Sequence, residues 1–177
     1  KTARWTMSKI ERDFYDTATM KIEEYAYDRD LNERFLLAQS QRLLASSLAS
    51  AYRHWGERSG YLTLDEEDEG TPSKLAGPLV AALGEVCDDR AVLAALEASD
   101  TKFERLSEWL GTIRKQDPEQ KVIIFSSFRR TIDYLATRLA REGHAVMQLH
   151  GGIKVDRQET IAHFADAPGG TILLTSE

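Results

Sequence analysis

Polar side chains and glycines follow three short apolar segments of this sequence, and their types suit the binding of phosphate oxygens. They are Ser126 and Ser127 after the first segment, His150 to Gly152 after the second, and Thr175 and Ser176 at the end of the third. Hydroxyl groups and backbone amides at strand ends and helix starts bind phosphate oxygens, and glycine lets the backbone approach closely. Each group alone is ordinary turn chemistry. Together, along one sheet edge, they predict a phosphate-backbone site.

The sequence lacks the residues that hydrolytic chemistry requires. No G-x-x-x-x-G-K-[ST] phosphate loop occurs, and neither Gly151-Gly152 nor Gly169-Gly170 is followed by the Lys and hydroxyl residue that hold a nucleoside triphosphate and Mg²⁺. No acidic pair follows a strand, and the four histidines lie near no nucleophile motif. No cluster of His and Cys has metal-ligand spacing. We therefore expect this chain to contain no catalytic residue and no metal site, and by itself to bind no cofactor.

The apolar segments alternate with helical patterns, which predicts an α/β region with a parallel sheet. Residues 121–128 are a short run rich in β-branched residues after the helix-breaking Asp117-Pro118, and we predict a fully buried parallel strand. Residues 145–149 and 171–175 are predicted to be two further strands, with a helix over about 155–165 between them. Short β-α-β-α-β links require right-handed crossovers. Since the carboxyl ends of parallel strands share an edge, the polar groups are expected to lie together.

Helical patterns dominate the upstream part of the chain. Ser8-Lys-Ile-Glu11 fits a capping box, in which Ser8 and Glu11 satisfy each other's backbone amides. An apolar stripe at helical spacing follows, formed by Ile10, Phe14, Ala18, Ile22 and Tyr25. A second helix is predicted from Asp30 to about Trp55, and the short break between the two indicates an antiparallel pair.

We divide the chain into four regions. Residues 1–56 are predicted to form the helix pair, and residues 57–78 a flexible acidic linker that contains the run Asp65 to Glu69. Residues 79–99 are predicted to be connecting helices. Residues 100–177 form the α/β region, which begins with a helix that Asp100 can cap.

Length and composition are those of a globular protein, with 177 residues, 42% apolar and 29% charged. The net charge of −6 argues mildly against a stand-alone nucleic-acid binder, which is usually basic, but much of that charge lies in residues 65–69. No apolar run approaches the roughly 20 residues of a membrane span, and no signal peptide is visible. The single cysteine, Cys87, predicts a reducing compartment and a buried apolar role.

Several segments of the sequence resemble the second RecA-like lobe of superfamily-two helicases, and most of all that of the Swi/Snf-type ATPases. The similar segments are Asp100 to Leu106, Lys121 to Phe128, His150 to Gly152 with Arg157 and Phe164, and Ile172 to Glu177. Upstream, Trp5 to Tyr15 resembles the segment that follows the first lobe. Gln41 to Ser47 resembles the helical bridge of the bacterial RapA/HepA-like members.

The resemblance implies a fold and a set of site residues. The fold would be mostly helical α/β, with a helical bridge followed by a partial RecA-like three-layer domain that has three parallel strands. In that family the fourth motif, here Phe125 to Phe128, and the opening of the fifth motif lie along the nucleic-acid backbone. The residues carried over to that role are Ser126, Ser127, Gly152, Arg157 and Thr175. Phosphate contacts of this kind position a duplex without reading its sequence.

The resemblance also implies an activity for a longer parent protein. That protein would be an ATP-dependent DNA helicase or translocase that moves on double-stranded DNA and remodels protein–DNA complexes. Its cofactors would be ATP and Mg²⁺, its partners DNA and RNA polymerase or another protein complex, and its place the cytoplasm, at the bacterial nucleoid. The first lobe and the sixth motif are missing, and the interval from His150 to Arg157 is one residue shorter than the common pattern. We therefore expect this chain to be an inactive fragment.

Two other interpretations stay open. One is a non-enzymatic interaction module, in which the N-terminal helix pair docks a protein partner, and the acidic balance favours it. The other is a Rossmann-like transferase, since β-α-β-α-β serves many functions. The transferase predicts small-ligand binding at Gly151-Gly152 and no affinity for DNA.

Overall fold

The computed structural model describes residues 5–28, 33–58, 73–151 and 156–176, with the backbone only for residues 33–39, 58 and 73–77. The chain divides into an N-terminal unit, Lys1–Lys102, and a C-terminal unit, Phe103–Glu177. The elements are α1 (Lys9–Asp28), α2 (Glu33–Ser46), α3 (Leu48–Arg58), α4 (Ser73–Gly84), α5 (Arg90–Ala98), α6 (Thr101–Gln116), β1 (Val122–Phe125), α7 (Arg129–Arg141), β2 (Val146–Leu149), α8 (Arg157–Asp166) and β3 (Ile172–Thr175).

The start of α1 is the predicted capping box. The backbone N–H of Ser8 donates to Oε2 of Glu11 at 2.7 Å, and the N–H of Glu11 donates to Oγ of Ser8 at 3.4 Å. The apolar stripe is buried at Phe14, Ala18, Ile22 and Tyr25. The capping box therefore starts a helix whose apolar face lies in the core of the N-terminal unit.

The predicted second helix is two helices, so the prediction of one helix to about Trp55 was wrong. The break falls at Ser47, whose Oγ accepts a hydrogen bond from the backbone N–H of Ser50 at 3.2 Å, at the start of α3. The buried apolar residues on both sides of the break are Leu43, Leu44, Leu48, Ala51, Tyr52 and Trp55. Because the apolar spacing continues across Ser47, periodicity alone does not reveal the break.

The helices on either side of the predicted linker extend into it. α3 ends at Arg58, and α4 begins at Ser73 and includes Pro78, so both helices reach into the range 57–78 that was predicted to be a linker. The acidic run from Asp65 to Glu69 lies outside the described residues. In the region of the predicted connecting helices, α4 ends at Gly84 and α5 begins at Arg90.

Gly56 lies inside α3 and packs directly against the backbone of Cys87. A Cβ atom at Gly56 would lie 2.3 Å from the carbonyl oxygen of Cys87, a separation that real Cβ atoms do not show. Cys87 itself is 4% exposed, which confirms its predicted apolar role. Burial and the neighbouring Asp88 raise the pKa of its thiol to about 12. The absence of a side chain at Gly56 is therefore what allows α3 to approach the segment between α4 and α5.

We expect Gly56→Ala to destabilise the protein by about 2 kcal/mol, because the backbone oxygen of Cys87 cannot move as a flexible side chain can. Urea denaturation followed by circular dichroism would measure the change. Gly111→Ala is the matched control, since Gly111 lies in α6 and its added Cβ would meet nothing within 4 Å. Helix propensity predicts that the control gains up to about 1 kcal/mol. Equal effects of the two substitutions would contradict the close approach.

The C-terminal unit contains a three-stranded parallel sheet in the order β1-β3-β2, with helices on both of its faces. One face packs against α6 and α7, and its buried core residues are Phe103, Leu110, Ile132, Ala136, Leu139, Ile172 and Leu174. The other face packs against α8, with Leu149, Leu173 and Phe164. This confirms the predicted mostly helical α/β fold with three parallel strands.

The prediction that the first strand is fully buried was wrong. Ile123 is 49% exposed and Phe125 is 64% exposed, while Val122 and Ile124 face the core formed with α6 and α7. The last strand in the chain, β3, occupies the centre of the sheet and is buried at every position. A strand with one neighbour and helical cover on one face stays half exposed, whereas the central strand is covered on all sides.

Candidate nucleic-acid interface

The carboxyl ends of the three strands lie at one edge of the sheet. Phe125 pairs with Thr175, and Leu149 pairs with the same residue from the other side. The backbone N–H of Ser126 donates to the carbonyl of Thr175 at 3.0 Å, and that of Ser176 donates to the carbonyl of Leu149 at 3.3 Å. The predicted alignment of the polar groups along one edge is therefore confirmed for the described residues.

The two serines after β1 have different environments. Oγ of Ser126 accepts a hydrogen bond from the N–H of Phe128 at 3.2 Å and lies 3.4 Å from the carbonyl oxygen of the same residue, to which it donates. Its hydroxyl thus shapes the turn that leads into α7. Ser127 is exposed. Of the two hydroxyls, that of Ser127 is the better placed to reach a ligand in solution.

Thr175, one of the predicted nucleic-acid contacts, has a buried hydroxyl. Its side chain is 5% exposed, and Oγ1 donates to the carbonyl of Ser176 at 3.1 Å. The central position of β3 causes this burial, because both of its neighbours and both layers of helix surround it. Gly152, the other predicted backbone contact near this edge, lies outside the described residues.

The start of α7 is electropositive. Phe128 is the N-cap residue and makes no side-chain capping bond, and the first turn contains no acidic residue. The same turn contains Arg129 and Arg130. The positive end of the helix dipole adds to these two charges. A helix start with two arginines and an exposed serine beside it has the chemistry of a phosphate site.

The start of α8 is capped by an acidic side chain, in contrast to the start of α7. The side chain of Asp156 accepts hydrogen bonds from the N–H groups of Gln158 at 2.7 Å and Glu159 at 3.1 Å. Arg157 is exposed at the first helical position, between these acidic residues. Since α7 and α8 cover opposite faces of the sheet, the structure does not group Arg157 with Ser126 and Ser127.

One pair of side chains at this edge was missed by sequence reasoning. Nε2 of His150, which directly follows β2, lies 3.5 Å from Oδ1 of Asp133 on α7, and the His150 side chain is 7% exposed. The sequence contains no signal of this contact, because the spacing of Asp133 from Arg130 and Arg129 on one helix indicates only partners within α7. The contact with His150 depends on the packing of β2 against α7, which that spacing does not reveal.

Two further groups have shifted pKa values, and neither is among the residues that end the three strands. Burial lowers the pKa of His144, which precedes β2 at its amino end, and Arg114 lowers it further against the opposing effect of Glu142. Burial also lowers the pKa of Lys102, whose Nζ donates to the last carbonyls of α2, those of Ala45 and Ser46, at 2.8 and 3.0 Å. Perturbed groups often mark reactive sites, but these two have structural partners. The described residues contain no group of three or more His, Cys, Asp or Glu placed to bind a metal.

Comparison with known proteins agrees with this architecture. Residues 101–177 match the family described as "Helicase conserved C-terminal domain". The match supports a helicase-like C-terminal lobe in these residues, which are fewer than half of the chain. The matched residues begin at α6 and contain all three strands and the candidate interface.

Curated relatives match this chain over short stretches. "Pre-mRNA-processing ATP-dependent RNA helicase PRP5" of Mycosarcoma maydis is 39% identical over 83 residues, which are 42% of this chain and 7% of that protein. "ATP-dependent helicase rhp16" of Schizosaccharomyces pombe is 38% identical over 79 residues, 44% of this chain and 9% of that protein. This chain thus spans less than a tenth of the length of either relative.

A solved structure is similar over nearly the whole chain. It is described as "Crystal structure of the C-terminal part of Fun30 ATPase domain" and covers 98% of this chain and 66% of its own, with a TM-score of 0.52 and 20% identity. At that identity the likeness shows the fold. Within the described residues, the structure contains no helix with the length and apolarity needed to cross a membrane.

Proposed function

We propose that the start of α7 binds a phosphate group of a nucleic-acid backbone, and that this chain is part of an ATP-dependent helicase or translocase. The observation that supports the proposal is the composition of that helix start, where the first turn contains Arg129 and Arg130 and no acidic residue, and where Phe128 makes no side-chain capping hydrogen bond. Ser127 is exposed beside them. Charge-assisted hydrogen bonds from arginine are the strongest contacts that proteins make to phosphate.

ATP hydrolysis belongs in this proposal to a longer protein. The residues of this chain do not fit a triphosphate and Mg²⁺, because the sequence has no phosphate loop. We therefore assign no step of hydrolysis to it. In this proposal the chain holds the nucleic-acid backbone at the edge of the sheet, and other parts of the longer protein hydrolyse ATP.

For the nucleic acid itself we propose double-stranded DNA, in a motor of the Swi/Snf type. One observation supports DNA. The sequence resembles that family in the helical segments upstream as well as in residues 100–177. The bacterial RapA/HepA-like subtype, with RNA polymerase as a partner at the nucleoid, is the narrower form of this proposal.

RNA is the second candidate, since several relatives are named as RNA helicases. Both candidates use the same phosphate site, because contacts to the backbone carry no sequence information. The two candidates predict different preferred duplexes. An RNA duplex is A-form, and it presents its phosphates and 2′-hydroxyls with a groove geometry that differs from that of DNA.

The phosphate site is tested by introducing a negative charge beside it. We expect Ser127→Glu to weaken binding of a fluorescein-labelled DNA duplex by about tenfold at low ionic strength, because a carboxylate would repel phosphate at the start of α7. Fluorescence anisotropy of the 177-residue chain measures the affinity. Ala140→Glu is the matched control, since Ala140 is exposed in the last turns of the same helix and its substitution makes the same change in charge.

The control is expected to change the affinity less than twofold. Equal losses of affinity from the two substitutions would mean that only the net charge of the chain matters. An unchanged affinity of the Ser127→Glu protein would contradict the proposed phosphate site. The same titrations with an RNA duplex of identical sequence separate the two candidates. Tighter binding of RNA by the native chain would overturn the proposal of DNA and leave the phosphate site standing.

A further inference from the structure

The outward side of α1 carries two large apolar side chains that are exposed. Met20 is 55% exposed and Tyr27 is 88% exposed, whereas Phe14, Ala18 and Ile22 of the same helix are buried. The two exposed residues are about two helical turns apart, so they lie on one side of the helix. We call them the apolar pair. Because they face away from the core of the N-terminal unit, the packing of this unit does not account for their side chains.

Four exposed carboxylates flank the apolar pair. Because an α-helix has about 3.6 residues per turn, Asp16 and Glu23 lie on one side of the pair. Asp13 and Glu24 lie on its other side. Among the residues that the structure describes, no ion pair involves these four carboxylates. The face thus combines an apolar centre with two negative margins.

The basic residues of α1 lie away from the apolar pair. Lys9 and Arg12 are in the first turn, and Nζ of Lys21 lies 3.3 Å from Oε2 of Glu85, which directly follows α4. The last turn of α1 contains no basic residue, and the negative end of the helix dipole adds to the charge of the carboxylates near it. Carboxylates at this end of a helix oppose its dipole and lower its stability. A cationic ligand would offset that effect.

We propose that this face of α1 binds a basic amphipathic helix of a partner protein. The partner would place apolar side chains against the apolar pair and lysine or arginine side chains against Asp16 and Glu23. A helix fits because apolar residues at heptad spacing recur every two turns, as the apolar pair does. Tyrosine and methionine are enriched in protein interfaces, and the negative margins select a basic partner. The face belongs to the N-terminal unit, so the proposal does not depend on the phosphate site.

The probe is a fluorescein-labelled peptide with leucine at heptad spacing and lysine at the flanking positions. Fluorescence anisotropy with the 177-residue chain at low ionic strength measures its affinity. We expect Tyr27→Ser to weaken binding by about tenfold, because the ring is the largest exposed apolar group of the face. Tyr27 is 88% exposed, so this substitution leaves the core intact, and circular dichroism confirms that the variant is folded. If serine at this position prevents folding, Met20→Gln is measured in its place, with an expected loss of about fivefold.

Charge reversal tests the negative margins. We expect the double variant Asp16→Lys with Glu23→Lys to bind the lysine peptide about tenfold more weakly than the native chain does. The double variant should instead bind a twin peptide that has glutamate in place of lysine, which the native chain rejects. The matched control combines Glu104→Lys with Asp166→Lys, since these exposed residues lie on α6 and α8 and their reversal makes the same change in net charge. The control should change the affinity for the lysine peptide less than about twofold.

Several results would overturn the proposal. The native chain would fail to bind the lysine peptide, or it would bind equally well a third peptide with serine in place of leucine, because charge alone would then suffice. The control would lose as much affinity as the charge-reversed variant. Sedimentation would show a dimer of the native chain that Tyr27→Ser abolishes, because the face would then bind a second copy of the chain. Ser127→Glu should bind the peptide as the native chain does, so this proposal and the phosphate site are tested separately.

Discussion

Leu174→Ala is expected to destabilise the C-terminal unit by about 4 kcal/mol, the upper part of the range for leucine truncation in a packed core. Leu174 is fully buried on the central strand β3, in the cluster formed with α6 and α7. Both neighbouring strands are paired with β3 and restrict its movement, so the cavity cannot close by a local shift. Urea denaturation followed by circular dichroism gives the free energy, and hydrogen exchange of residues 172–175 places the loss in the sheet.

Ile123→Ala is the control for this experiment. Ile123 lies on β1 at the position paired with Leu173, but it is 49% exposed. Truncation to alanine removes side-chain atoms that are already half exposed to solvent, so we expect the free energy of unfolding to fall by about 1 kcal/mol or less. A loss at Ile123 as large as that at Leu174 would mean that the exposed face of β1 is covered in solution and that the burial described for β1 does not hold there.

Glu11→Ala is expected to destabilise the N-terminal unit by about 3 kcal/mol, because one nearly buried carboxylate serves two helix starts. It accepts from the N–H of Ser8 at 2.7 Å, as predicted for the capping box. It also accepts from the N–H of Thr101 at 3.1 Å and from Oγ1 of Thr101 at 2.8 Å, at the first residue of α6. Removing the carboxylate leaves all three donors without this acceptor, and Glu11 is 3% exposed, so water cannot readily replace it.

Glu24→Ala is the matched control, since Glu24 is an exposed residue of the same helix. We expect it to change the free energy of unfolding by less than about 0.5 kcal/mol. Glu11→Gln should fall between the two, because its amide keeps one acceptor oxygen and loses the charge. Urea denaturation of the three variants gives the order. A Glu11→Ala protein as stable as Glu24→Ala would show that the bonds to Thr101 contribute little.

The sequence alone determined the parts of this protein that depend on neighbouring residues. The capping box of Ser8 and Glu11 is local chemistry within one helical turn, and it formed as predicted. The β-α-β-α-β order follows from alternating periodicities and short links, which permit only parallel strands. The common edge that carries Ser126 and Ser176 follows from the same topology. The interaction of Glu11 with Thr101 does not, because 90 residues separate them in the chain.

Only the tertiary structure decided which of these elements are covered and which side chains meet. The order of strands in a sheet is not encoded in any one segment. The segment that begins at Lys121 was therefore predicted to be a buried strand, whereas the central strand of the sheet is β3. That order exposes Phe125, buries Thr175 and brings His150 to Asp133. Gly56 is the last residue of the predicted helix pair, and its close approach to Cys87 within α3 has no signal in the sequence. The physical reason is that periodicity and capping report on a few neighbouring residues, whereas burial depends on contacts between residues far apart in the chain.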